Sequence, residues 1–235
     1  MIYAVILAGG KGTRMKSAQF PKQFLTIGGE PILRMTIDKF LCCPAIDRVV
    51  VAAPAVWMSH TVDLLKGASY ARVHVCEGGS TRQESLYKAV KFIQKEFSAE
   101  DDDIIVSHDV ARPFITLRII EDNIKAMVSG ADAVDTVIPA VDTIVESKDG
   151  DVISNIPDRK CMYQGQTPQS FRLKKYIDIY ETLDSGYLSR VTDAARILAE
   201  HGCDVKLVDG ELFNMKITTE FDFGLAEYLL GQSHD

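Results

Sequence analysis

Short unbroken apolar runs recur along the chain, and most are followed by a stretch whose apolar residues fall at helical spacing. Tyr3-Ala4-Val5-Ile6-Leu7, Arg48-Val49-Val50-Val51-Ala52-Ala53, Val73-His74-Val75-Cys76, Ile104-Ile105-Val106 and residues 133–138 are the runs. Runs of this length without alternation are what strands buried on both faces show. Pro31 followed by Ile32, Leu33, Met35, Ile37 and Phe40-Leu41 predicts a helix with proline in its first turn. Residues 56–65 (ending at Gly67), 80–97 and 119–128 are the other early helices. Strand and helix alternating at this rhythm imply parallel βαβ units, hence an α/β fold with a doubly wound, mostly parallel sheet. Ligands of such sheets sit beyond the carboxyl ends of the strands, where every candidate named below lies.

The rhythm breaks between Asp142 and Asp158. Asp142-Thr143-Ile144-Val145-Glu146, a Lys148-Asp149-Gly150-Asp151 turn and Val152-Ile153-Ser154-Asn155 predict an inserted β-hairpin arm. A hairpin of this kind needs something to cover it, and a second subunit is one answer. Thr167-Pro168-Gln169 reads as a compact turn. Helices are predicted around 173–183 and 193–201, a strand at 204–208, and a last helix to Gly231 opened by the capping-box-like Thr219-Glu220-Phe221-Asp222.

A chain of 235 residues suits one large α/β domain or one domain with an elaboration, and 46% hydrophobic against 25% charged residues is enough to bury a full core. The net charge of −7 argues against nonspecific binding to nucleic acid, so any positive groups that matter are local. Five cysteines, an odd number without C-x-x-C spacing, read as reduced and mostly buried, with a structural zinc site a poor second reading. No basic leader and no stretch long enough to cross a bilayer are seen, and the expectation is a soluble, cytoplasmic protein. Glu100-Asp101-Asp102-Asp103 reads as a solvated turn, since nothing in its spacing makes the carboxylates converge.

The chemistry concentrates in Leu7-Ala8-Gly9-Gly10-Lys11-Gly12-Thr13-Arg14-Met15, with Pro21-Lys22 close behind. Glycines let backbone N–H groups approach an anion without obstruction, and a following helix would add its positive end, so a strand breaking into this loop reads as a phosphate cradle. The P-loop pattern fails because Gly12, not Ser or Thr, follows Lys11. The dinucleotide fingerprint fails because Met15 stands where its third glycine belongs, and the second strand ends in Ala53-Pro54 without a ribose-gripping acid. A plain strand-to-helix turn is the bland reading, against which Arg14 and Lys22 weigh. Gly78-Gly79-Ser80-Thr81-Arg82-Gln83-Glu84-Ser85 repeats the logic: it is either a nucleoside-holding turn with Arg82 near phosphates or an ordinary capped helix. At Ser107-His108-Asp109-Val110-Ala111-Arg112-Pro113, Asp109 is placed to hold Mg²⁺ and Arg112 to clamp a phosphate; the simpler reading pairs the two as a salt bridge. His108 has no nucleophile in view and reads as structural. Arg159 and Lys216 are, taken alone, ordinary surface charges.

Together, Leu7-Ala8-Gly9-Gly10-x-Gly12-x-Arg14-Met15, Pro21-Lys22-Gln23, Gly78-Gly79-x-x-Arg82, His108-Asp109-x-x-Arg112-Pro113, Gln166-Thr167-Pro168-Gln169 and Asn214-x-Lys216 resemble the cytidylyltransferases that make CDP-alditols, in order and nearly end to end. Of that family's branches, Leu-Ala-Gly-Gly at 7–10, Ile156-Pro157-x-Arg159 and the run from Met162 to Phe171 are similar to the ribitol 5-phosphate branch; the 2-C-methylerythritol 4-phosphate branch is the alternative. The resemblance implies a single Rossmann-like nucleotidyltransferase domain over 1–235 with a dimerisation arm at about 140–160 that lines the partner's acceptor pocket in a homodimer. It implies CTP and an alditol phosphate as substrates, Mg²⁺ as cofactor with Asp109 as its ligand or second-shell partner, and a reductase supplying the acceptor as a further partner. Arg14, Lys22, Arg159 and Lys216 are then the catalytic cations. Leu7, Ala8, Gly9, Gly10, Gly79, Ser80, Arg82 and Ser85 hold the nucleotide, and Asp109, Arg112, Thr143 and Thr167 line the alditol side. A phosphate monoester is already largely dianionic at neutral pH, its second pKa being about 6, so the reaction needs cations and positioning more than a general base.

Overall fold

The computed structural model of the chain describes residues 1–10 and 21–231. Its strands are β1 (Ile2–Leu7), β2 (Thr26–Ile27), β3 (Glu30–Pro31), β4 (Arg48–Ala53), β5 (Val73–Glu77), β6 (Ile104–Asp109), β7 (Ala133–Pro139), β8 (Tyr163–Arg172) and β9 (Val205–Asp209). The helices are α1 (Ile32–Leu41), α2 (Met58–Leu64), α3 (Arg82–Glu96), α4 (Leu117–Val128), α5 (Leu173–Tyr180), α6 (Ser185–Leu188), α7 (Ala194–Glu200) and α8 (Glu220–Gly231).

Seven strands form one sheet in the order β5-β4-β1-β6-β8-β7-β9, all parallel except β8, which runs antiparallel to both of its neighbours. The apolar runs give the sheet a core on each face because successive side chains point to opposite sides. Ala4 and Ile6 pack with Phe40, Ile119 and Met127 under α1 and α4, whereas Tyr3, Val5 and Leu7 pack with Leu86, Tyr176 and Leu198 under α3, α5 and α7. The predicted mostly parallel α/β architecture is therefore observed. The Asp103 carboxylate, at the foot of β6, takes the chain's own N-terminal ammonium, which accounts for one acid of the 100–103 run. Three cysteines are buried, whereas Cys42 and Cys161 are exposed, and all five are free thiols.

Two local expectations change, and one alternative reading fails. Gln166-Thr167-Pro168-Gln169 is not a compact turn but the middle of β8, with a cis Thr167–Pro168 peptide. Its polar side chains are buried yet bonded: the Thr167 hydroxyl to His108, Gln169 to Asp135, Ser170 to Asn123. The 142–155 stretch makes no hairpin ladder. A single antiparallel bridge, Glu146 to Asn155, joins its limbs, and Val145, Val152, Ile153 and Ile156 lie exposed, so no side-chain packing reinforces a ladder. Asp109 and Arg112 form no salt bridge; the Arg112 backbone N–H closes a turn onto the Asp109 carbonyl and its guanidinium points elsewhere. The opening of α8 does follow expectation: Thr219 N–H donates to the Asp222 carboxylate while Asp222 N–H donates to the Thr219 hydroxyl, a reciprocal cap.

Candidate active site

The carboxyl ends of β1, β5 and β6 and the first turn of α3 surround a cleft of about 270 Å³. Gly9 and Gly10 floor one side, and Gly79 and Ser80 face them across it. A Cβ on Gly10 would only touch the end of the Lys22 side chain, at 3.4 Å. Gly79 is dictated by contact: a Cβ there would fall 2.3 Å from Glu84 Cγ, closer than real atoms approach. Glu84 is held there because its carboxylate accepts from both the N–H and the hydroxyl of Ser80 (2.7 and 2.6 Å), while its own N–H donates to the Thr81 hydroxyl (3.1 Å). The Thr-x-x-Glu spacing is the sequence signal of such a cap. Ser85, buried, accepts from the Gly79 N–H (3.0 Å) and donates to the Thr81 carbonyl (2.8 Å), so its part is to shape the loop. Ala8, also buried, presents its carbonyl to Gln23 Nε2 (2.7 Å).

Asp109 organises the charge. At the end of β6, its Oδ1 accepts from Arg82 Nε (2.9 Å) and its Oδ2 from Lys216 Nζ (2.7 Å), joining the start of α3 to the segment ahead of α8. Burial by itself would raise this carboxyl, but the two cations outweigh burial and hold it far below the usual carboxylate range. It is therefore charged at any physiological pH. Lys22, on the short turn Lys22–Phe24, enters the same cleft and donates to the Ile217 carbonyl (3.2 Å). Among the described residues, three cations against one carboxylate leave the cleft locally positive in a chain whose net charge is −7, the condition for focusing an anionic ligand.

Beneath Asp109 lies a buried polar layer. Thr167 Oγ1 accepts from the Asp109 N–H (3.2 Å) and bonds His108 Nδ1 (3.0 Å). Because the Arg112 carbonyl can only accept, His108 Nε2 carries the proton that meets it (3.1 Å), leaving Nδ1 to accept from Thr167. Burial pushes His108 down to about 4, so it is a neutral structural group, as the sequence suggested. Arg112 donates to the Asn214 carbonyl (2.7 Å), and Asn214 is fixed in turn by Gln166 and the Thr167 carbonyl.

The structure thus gathers Leu7, Gly9, Gly10, Lys22, Gly79, Ser80, Arg82, Ser85, Asp109 and Lys216 at one cleft. It sets Ala8 and Thr167 behind its wall and turns Arg112 to backbone carbonyls. Thr143 is exposed on the 142–155 segment, and Arg159, also exposed, donates to the Val141 carbonyl (2.9 Å), neither of them at the cleft. Arg14 lies outside the described residues. Thr81 and Thr218 line the cleft without having been singled out; Thr81 was legible as a helix cap, whereas Thr218 carried no signal.

A glycine-floored, cation-walled cleft at the carboxyl edge of such a sheet is that of a nucleotidyltransferase. Comparison with known proteins narrows the class. The family model of IspD, 2-C-methyl-D-erythritol 4-phosphate cytidylyltransferase, matches residues 2–232, and the chain belongs to this family of enzymes. It is 49% identical over 231 residues to the ribitol-5-phosphate cytidylyltransferase of Lactiplantibacillus plantarum, covering 98% of each chain. Among solved structures, it is similar to the 4-diphosphocytidyl-2C-methyl-D-erythritol synthase of Anaerococcus prevotii, at 27% identity over 98% of each chain with a TM-score of 0.80. It is also similar to the 2-C-methyl-D-erythritol 4-phosphate cytidylyltransferase of Francisella tularensis, at 29% identity over 97% of this chain and 98% of that one, with a TM-score of 0.79. No helix among the described residues is long and apolar enough to cross a membrane.

Proposed function

We propose that this cytidylyltransferase uses CTP and ribitol 5-phosphate, giving CDP-ribitol and pyrophosphate. The full-length 49% identity to a ribitol-5-phosphate enzyme carries the choice of acceptor, against 27% and 29% to the methylerythritol-phosphate structures. The description of the family model favours the second reading, 2-C-methyl-D-erythritol 4-phosphate.

In the reaction an oxygen of the acceptor's phosphate forms a bond to the α-phosphorus of CTP, and the bond from that phosphorus to the β-bridging oxygen breaks, releasing pyrophosphate. Both partners are anions, so the barrier falls when cations hold them together and in line. Lys22, with Arg14, neutralises the triphosphate and the departing pyrophosphate. Lys216, oriented by Asp109, receives the acceptor's phosphate, and Arg82, on the other oxygen of the same carboxylate, faces the nucleotide. The cytosine is held between the Gly9–Gly10 floor and the Gly79–Ser80 turn.

Both Asp109 oxygens are engaged by cations, and among the described residues no three His, Cys, Asp or Glu side chains converge. With both oxygens so used, Asp109 is assigned to holding Arg82 and Lys216 rather than to ligating Mg²⁺ directly. The ion enters as part of the substrate, on the oxygens of the triphosphate. The active form is a cytoplasmic homodimer in which the arm at about 140–160 covers its exposed apolar residues against the second copy and brings Thr143 and Arg159 to the partner's acceptor pocket. A reductase supplies the acceptor.

Pyrophosphate release from CTP, followed with ribitol 5-phosphate and 2-C-methyl-D-erythritol 4-phosphate in parallel, tests the reading. Release with ribitol 5-phosphate alone is the expected result, and release with the methylerythritol compound alone would replace the acceptor.

A further inference from the structure

One acid near the cleft is left without a role by the chemistry above. Asp135 stands on β7, two strands across from Asp109 and on the same face of the sheet, level with Ser107 because both pair with Gln169 of β8. Two strand spacings place the Asp135 and Ser107 backbones about 10 Å apart, and Asp109 stands two residues further along β6. Asp135 Oδ1 accepts from Gln169 Nε2 (3.0 Å), and Gln169 Oε1 accepts from the N–H of Ala194 at the start of α7 (3.1 Å). Its second oxygen, Oδ2, has no hydrogen-bond partner among the described residues.

What lies over that oxygen is a gap. Gly165, exposed on β8, has an ordinary backbone conformation, and a Cβ built on it would lie 3.7 Å from Asp135 Oδ2, so any larger side chain there would cover the carboxylate. Arg112 reaches the carbonyl of this glycine (3.5 Å), and its buried Nε–H has no acceptor. An under-bonded acceptor and an under-bonded donor beside one opening suit hydroxyls, which both give and take hydrogen bonds. The surrounding charges agree with this. Burial pushes Asp135 up to about 6; the Gln169 hydrogen bond opposes the rise, Asp193 adds to it, and Arg82 and Arg112 pull the carboxyl back down. The carboxylate is half-buried with one oxygen unpartnered by the protein, a place where hydroxyl donors can bond.

Resting on the acceptor class given above, we propose that Asp135 recognises the hydroxyl chain of the acceptor at the end remote from its phosphate, with Gly165 as the opening that admits it. Lys216 holds the phosphate end near Asp109, and a linear polyol extends from there across β8. The preference for a long polyhydroxylated acceptor over a short one is then set in part by this half-buried carboxylate, because an acceptor that closes over it without supplying the hydroxyl leaves Oδ2 unpaired.

The experiment is steady-state kinetics of wild type, Asp135→Asn, Asp135→Ser and Gly165→Val with ribitol 5-phosphate, 2-C-methyl-D-erythritol 4-phosphate and glycerol 3-phosphate. Thermal melting checks that each variant is folded. In all three variants the acceptor KM is expected to rise about 10- to 100-fold, the range of one or two charge-assisted hydrogen bonds, while the KM for CTP stays put. The preference for the longer acceptor over glycerol 3-phosphate should shrink by the same factor. An acceptor KM within twofold of wild type in either Asp135 variant overturns the proposal, as does a parallel rise in both KM values, which is what a purely structural part in seating α7 would give. Wild-type acceptor choice by itself judges the proposed function. The ratio of variant to wild type, taken on whichever acceptor the wild type uses, judges Asp135, so the two fail separately.

Discussion

The cleft and the 142–158 segment are built on opposite terms. At the cleft, strand ends, a capped helix and a buried polar layer fix every charged group: Asp109 alone ties Arg82 and Lys216 together at 2.9 and 2.7 Å. The segment has one bridge, hydrogen bonds local to its own turn, a tie between its flanks from Arg159 to Val141, and apolar side chains turned outward. The described cleft residues converge within one chain, whereas Thr143 and Arg159 lie away from that cleft. Exposed apolar side chains on a segment without its own core mark an interaction surface, and this is why Thr143 and Arg159 are assigned to the other copy's pocket.

Breaking the cleft should cost most. Lys22→Ala and Lys216→Met are each expected to lower kcat by roughly 100-fold or more, the scale of one lost oxyanion donor, with a much smaller change in CTP affinity measured by calorimetry. Loss of affinity with kcat preserved would make these residues binders only. Next comes the arm. Val152→Asp with Ile153→Asp should give monomers by sedimentation and a chain that still binds CTP but turns over poorly, since the burial lost on each side chain is about 1.5–3 kcal/mol. A dimer that persists would detach the arm from assembly.

The smallest effect concerns the layer under Asp109. His108 has its pKa lowered by burial to about 4, from 6.5. The stability it contributes is therefore whole above pH 6.5 and is lost as pH falls toward 4, by roughly 3 kcal/mol in all. Chemical denaturation of wild type and His108→Gln between pH 7 and 4 should show the wild type losing this much more than the variant. Equal slopes would contradict the buried neutral imidazole.

These contrasts also mark what the sequence could tell. The strands at 48–53, 73–77 and 133–139, and the capped start of α8, were legible because apolar runs and cap spacing report local physics. β8 was not. Proline at 168 argues against a strand, and its buried side chains are polar, so hydropathy saw a turn; what holds them is bonding to Asp135, Asn123 and His108, which only the fold brings near. For the same reason the sequence offered Asp109 only Mg²⁺ or its neighbour Arg112, when the partners are Arg82, 27 residues before it, and Lys216, 107 after. Lys22 was found because it follows the glycine loop so closely. Arg159 and Lys216 looked like surface charges and needed the family resemblance to be named at all.

The division between a cleft made by one chain and an arm given to another is tested most directly by mixing subunits. Lys22→Ala and Arg159→Ala proteins, each nearly inactive alone, are unfolded, combined in equal amounts and refolded, and cytidylyl transfer is measured. If the arm serves the partner, each mixed dimer has one site with an intact Lys22 and an intact Arg159, and activity returns to about a quarter of wild type. If Arg159 acts in its own chain, every mixed site stays defective, no activity returns, and the central claim is wrong.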